Sequence, residues 1–273
     1  MSIVCFGSYE NSTALGVKEE KKVFSLFHSL SYSASSNWAD DTDQQLFNQG
    51  VSYGGTYFYK QQYYMTLGLA ATYQTVDNAL VETDNGSFHF TDLSVGFGTK
   101  GFNLYKGKTD SISLFTNIRN VFPLSERSRN EGYKSVPSGS MDLAYQTGPL
   151  GLVLSGNYAY VINTYDTRLF NSQNGAPAGT PNLESSTSGS LTARYNFWRL
   201  RAQFSYRIGM LQFLDGSTVG NSGNSFSLMA MLTQTLWAGA STSNFNNIDE
   251  QFVDLWFYDP YLRIYNLSMG VTF

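Results

Sequence analysis

The chain has 273 residues with 17 Lys+Arg and 21 Asp+Glu, so charged residues make up 14%, well below the roughly 25% of soluble globular proteins. Aromatics make up 16%, yet even the stretch from Leu228 to Ala240 is interrupted by Thr233, Gln234 and Thr235, so nothing approaches the roughly 18 to 20 consecutive apolar residues of a membrane helix. A helical membrane protein is excluded, and a net charge of −4 gives no basic footprint for nucleic acid.

Six Pro and an abundance of Tyr, Phe, Thr, Ser and Gly point to an all-β chain, because these residues favour strands and turns. Cys5 is the single cysteine and cannot close an internal disulfide, and His28 and His89 stand apart without Cys partners. No metal site and no cofactor is therefore expected. Met1 to Gly7 is too short an apolar run for a secretory signal, and Val4 before Cys5 does not fit a lipoprotein cleavage box. Any export signal is expected to be missing from this numbering.

Residues 1–21 show no strand pattern and run into the mixed charges Glu19, Glu20, Lys21 and Lys22, so they read as a solvated leader ahead of one domain over 22–273. From there period-two alternation recurs in segments of about ten to fourteen residues, the length of a tilted strand that crosses a bilayer. Strands are predicted near 23–34, 49–60, 64–73, 87–99, 110–121, 138–147, 150–162, 186–197, 200–210, 224–235 and 261–273. An even count needs a twelfth, near 238–246. The clearest places Leu200, Ala202, Phe204, Tyr206, Ile208 and Met210 on one face, opposite Arg201, Gln203, Ser205, Arg207 and Gly209.

The connections alternate between short and long. Short ones fall at Lys60 to Gln62, Gln146 to Pro149, Asn196 to Arg199 and near Leu236 to Gly239, with a longer one on the same side at 100–109. The long ones are 35–48, 75–86, 122–137, 163–185, 214–223 and 246–260. Fifteen of the 21 acidic residues but only four of the 17 basic ones lie in these six long links. One end of the folded chain is thus expected to be acidic and the remainder basic.

The chain ends with Tyr265, Leu267, Met269, Val271 and Phe273 at every second position. This terminal strand resembles the C-terminal signature of Gram-negative outer-membrane β-barrels, without pointing to one family among them. The resemblance implies a transmembrane antiparallel up-and-down barrel of about twelve strands in the outer membrane, with short periplasmic turns, long external loops and both termini periplasmic. It also implies contact with lipid and lipopolysaccharide, and it makes the five terminal residues an assembly signal for the barrel-assembly machinery. Residues 1–21 become a periplasmic leader, or a plug if Phe6 or Tyr9 enters the barrel. A closed sheet with an apolar outside meets the physical demand that lipid leaves no backbone group unpaired.

Barrel lipid hydrolases of this superfamily use a His and a Ser two apart on one strand face. His28 has Leu30 at that position, and His89 has Thr91, a poor substitute. The chain is therefore read as no enzyme, with the hydrolase as the weakest alternative. The inferred lumenal face carries Arg119, Arg194, Arg201 and Arg207 against Asp92 and Asp142. Such a wall favours anions, unless Arg and Asp pair across the interior and close it. The remaining inward positions are mostly small and polar, as in a pore for ions or small hydrophilic solutes. In the last long link, Trp256, Phe257 and Tyr258 are candidates for binding a surface partner, the alternative function of a closed barrel.

Overall fold

A computed structural model describes residues 24–37, 44–59, 62–78, 87–125, 128–129, 132–167, 181–248 and 264–272. Its strands are β1 (Phe24–Asn37), β2 (Gln44–Tyr59), β3 (Tyr63–Asn78), β4 (Ser87–Phe90), β5 (Leu93–Thr99), β6 (Phe102–Lys106), β7 (Asp110–Phe122) and β8 (Tyr133–Thr147). They continue with β9 (Leu150–Tyr160), β10 (Ile162–Asn163), β11 (Leu183–Phe197), β12 (Leu200–Phe213), β13 (Thr218–Met231), β14 (Leu236–Ile248) and β15 (Ile264–Thr272). β4, β5 and β6 follow one another along a single stave, as do β9 and β10, so the sheet is a closed, antiparallel barrel of 12 strands. Closure comes from the pairing of β1 with β15, which runs from Ser29 opposite Thr272 to Asn37 opposite Ile264.

All twelve predicted strands are present, including β14, which even parity alone demanded. Besides the short link expected near Leu236 to Gly239, which lies instead at 232–235 because β14 begins at Leu236, two links differ from expectation. The long link at 214–223 is a tight turn of Leu214 to Ser217, because β13 begins at Thr218. Gly216 takes φ 83°, and the Asp215 carboxylate accepts from the Ser217 amide at 2.9 Å and hydroxyl at 2.6 Å. The run Gly220 to Asn224 reads as a loop, yet it pairs in full register with β12. Gly209 lies opposite Asn221, and the Asn221 Oδ1 stands 2.7 Å from where a Cβ of residue 209 would be; the missing side chain makes the room. The second difference is at 100–109, where β6 carries the stave onward along β7 before a turn at Gly107 to Thr109.

Between β4 and β5 the ladder breaks at Thr91 and Asp92. The Thr91 side chain repairs it: its Oγ1 accepts from the Ala70 amide and donates to the Ala70 carbonyl, each at 3.0 Å. That hydroxyl is committed to backbone and is not placed as a nucleophile.

What faces where defines the molecule. Leu26, Leu30, Leu67, Leu154, Leu191, Leu228 and Leu267 are exposed on the outer surface, with tyrosines such as Tyr53, Tyr57, Tyr158 and Tyr160. Among the described residues only Val153 and Val161 are buried hydrophobics, so there is no central apolar core. In water such a continuous apolar exterior would be untenable; around a closed barrel it is the band that meets hydrocarbon. No helix among the described residues is long and apolar enough to cross a membrane; this chain crosses with strands.

Candidate functional site

The lumen is built by the inward parity of each strand. β11 and β12 form a hairpin around Trp198 and Arg199, with Arg194 opposite Gln203 and Asn196 opposite Arg201. Because directly opposed residues share a face, these four side chains form one inward patch next to the turn. The Arg194 Nε donates to the Gln203 Oε1 at 3.1 Å, and the Arg201 Nε donates to the Asn196 Oδ1 at 2.7 Å. The Gln203 amide reaches Ser205 Oγ at 3.4 Å, and Ser205 in turn bonds Thr192 at 2.8 Å. Each guanidinium is thus oriented by a neutral amide while its charge is retained.

The other predicted lumen residues are spread more widely. Arg207 lies opposite Ser190 and Gly223, six residues along β12 from Arg201. Arg119 is on β7 between Gly96 and Ser138. Asp142 shares the inward face of β8, opposite Phe115 and Ser155, with β9 separating it from β11. Asp92 is engaged elsewhere: its carboxylate accepts from the Ser125 amide at 2.8 Å and from the Ser128 hydroxyl. Ser125 itself caps the helical turn that follows, accepting from the Ser128 amide at 3.1 Å. Asp92 therefore ties the β7–β8 connection to the break in the neighbouring stave.

Asn196 and Gln203, which hold the arginines, are partners that sequence reasoning passed over; their parity with Arg201 was the available signal. Also passed over is an aromatic patch on the inward face of β1 to β3. Phe27 meets Phe58 edge to face at 5.6 Å, and Phe58 lies 6.0 Å from Tyr64. The Lys100 ammonium sits 5.1 Å from the Phe58 ring centre. Tyr64 lies over Gly98, where a Cβ would stand 2.6 Å from its ring, and its hydroxyl accepts from the Asn117 amide at 3.2 Å.

Of the terminal strand, Tyr265, Leu267, Met269 and Val271 are exposed on the outer face, Leu267 at 66%. Phe273, the loop residues Trp256, Phe257 and Tyr258, and residues 1–21 lie outside the described residues. His28 points outward and its Nδ1 bonds the Tyr53 hydroxyl. Among the described residues no group of three or more His, Cys, Asp or Glu could hold a metal.

No protein-family model and no curated protein matches the chain. Among solved structures, the COG4313 outer membrane channel from Pseudomonas putida F1 superposes with a TM-score of 0.62 at 11% identity, over 95% of this chain and 99% of that one. The outer membrane protein OprD from Pseudomonas aeruginosa aligns with a TM-score of 0.45 at 9% identity, over 92% of this chain and 94% of that one. The first likeness is one of fold.

Proposed function

We propose that the protein is a passive outer-membrane channel for ions or small hydrophilic solutes, biased toward anions, and not an enzyme. The observation that carries this reading is the pair Arg194 and Arg201, held inward on one wall by neutral amides. Neutral amides do not cancel the guanidinium charge, and a low-dielectric sleeve strengthens its field. Twelve strands about 4.8 Å apart and tilted by about 40° enclose a cylinder about 25 Å across between opposite backbones, wide enough for water beyond the side chains. Arg119 and Arg207 extend the positive wall toward the far rim, and Asp142 is its counter-charge. Asp92 acts as a loop anchor in this reading rather than as part of the filter.

In this reading the rim with the short turns, where β1 begins and β15 ends, is periplasmic. The outward Tyr265, Leu267, Met269 and Val271 serve assembly through the barrel-assembly machinery, and lipid and lipopolysaccharide surround the barrel. The test is conductance of the purified, folded chain in a planar bilayer. Open events with a reversal potential favouring chloride over potassium are expected, and Arg201→Glu together with Arg207→Glu should shift that potential toward cations. An unchanged potential in a conducting variant refutes the selectivity. Silence from folded protein refutes the channel and leaves the barrel as a platform for loops that bind a partner.

A further inference from the structure

The arginine patch and the aromatic patch sit at the same level of the barrel and face each other. Arg201 is the second residue of β12 and Arg194 lies three residues from the end of β11, both at the short-turn rim. Phe27 is the fourth residue of β1, Phe58 the last but one of β2 and Tyr64 the second of β3, at the same rim. Around the ring, β13, β14 and β15 separate β12 from β1 on one side; the staves of β5, β7, β8 and β9 separate β3 from β11 on the other. The two patches are therefore on opposite walls.

A phenylalanine exposed to 47% inside a polar lumen is an unusual use of an apolar side chain. Phe27, Phe58 and Tyr64 together offer ring faces and edges, and Lys100 adds a positive charge at the border of the patch. Arginine reaching in from one wall and phenylalanine from the other leave a gap of about 10 Å in a barrel of this width.

We infer that the short-turn end of the lumen is a two-sided filter for organic anions that carry a flat aromatic body, a substrate class that rests on the channel reading and deepens it. The carboxylate of such a solute takes the guanidinium groups of Arg194 and Arg201, while its ring packs on Phe27, Phe58 and Tyr64. Chloride or acetate uses only the first wall, and a neutral arene only the second. An aromatic carboxylate engages both at once and dwells longest.

The experiment compares benzoate, acetate and benzyl alcohol as blockers of the potassium chloride current through the full chain, alongside calorimetric binding of each to the detergent-solubilised protein. Benzoate is expected to interrupt the current and bind, acetate and benzyl alcohol to do so far more weakly. Phe27→Ala with Phe58→Leu should raise the benzoate concentration for half block about fivefold, the worth of an aromatic contact, with the chloride reversal potential unchanged. Arg194→Gln with Arg201→Gln should weaken block and also move the reversal potential. Migration before and after boiling verifies that each variant is folded. Equal behaviour of benzoate and acetate, or benzoate binding indifferent to the phenylalanines, overturns the filter. If chloride preference is missing but phenylalanine-dependent benzoate binding persists, the anion bias falls and the filter stands; if the barrel is silent, the same binding data decide the filter by themselves.

Discussion

The lumen has two halves with different chemistry. From β7 to β12 it presents Arg119, Asp142, Arg194, Arg201 and Arg207, braced by amides and hydroxyls. From β13 through β15 to β1 it presents Ser225, Ser227, Ser241, Ser243, Ser268, Ser29, Ser31 and Ser33, paired across these strands with one another, with Gly239, Gly270, Asn266 and Thr272, and in one place with Ile264. The outer surfaces of both halves are alike, with Leu, Tyr, Phe and Met. The exterior is constrained by one solvent, hydrocarbon, and so is uniform. The interior is constrained only to stay wet, which leaves its charge open to functional use.

The largest expected effect separates inside from outside on the neutral half. Leu267→Arg puts a charge on the lipid face and should destabilise the barrel by about 2–4 kcal/mol if the site lies near the midplane. Its neighbour Ser268→Arg points into water and should cost no more than about 0.5 kcal/mol. Urea titration of both variants in the same detergent checks the contrast, and equal losses would erase the distinction.

Where aromatics enter the lumen, space is the constraint. A side chain at residue 98 meets the Tyr64 ring at 2.6 Å and the Thr116 carbonyl at 2.7 Å, and the carbonyl belongs to the barrel wall. Gly98→Val should therefore cost about 1–3 kcal/mol and push Tyr64 off the wall, lowering single-channel conductance.

At the border of the charged half, Asp92→Ala removes the acceptor of the Ser125 amide and the Ser128 hydroxyl. A loss of about 2 kcal/mol is expected, read as faster proteolysis within 123–132 with the chloride reversal potential unchanged. A shifted potential would return Asp92 to the filter.

The smallest effect is at the exposed turn between β12 and β13. Hydrogen bonds from the Ser217 hydroxyl and amide hold the Asp215 carboxyl below its ordinary pKa. A depressed folded-state pKa stabilises the fold above the unfolded value, and that contribution is lost as pH falls through the lowered pKa. Asp215→Asn should thus be slightly less stable than the parent at neutral pH, with the gap closing in acid. A gap that widened in acid would contradict the assignment.

The strands were legible because alternation is imposed by two solvents, and Leu200 to Met210 records it residue by residue. The start of β13 was not, since Gly220 to Asn224 consists only of glycine and small polar residues and carries no apolar signal. The charges of the lumen followed from parity, but the roles of Asn196 and Gln203 depend on side-chain reach, and the diversion of Asp92 depends on a loop that returns to it. The aromatic patch was hidden for a physical reason. Near the membrane interface Tyr57, Phe58 and Tyr59, and then Tyr63 and Tyr64, are aromatic at both parities, because girdle and lumen use the same residue types there.

Water inside the barrel and lipid outside it are measured most directly by cysteine accessibility. In a Cys5→Ser background reconstituted into vesicles, Ser268→Cys should react with a charged, membrane-impermeant maleimide while Leu267→Cys stays unlabelled until detergent and denaturant are added. Labelling of Leu267→Cys with protection of Ser268→Cys would contradict that arrangement.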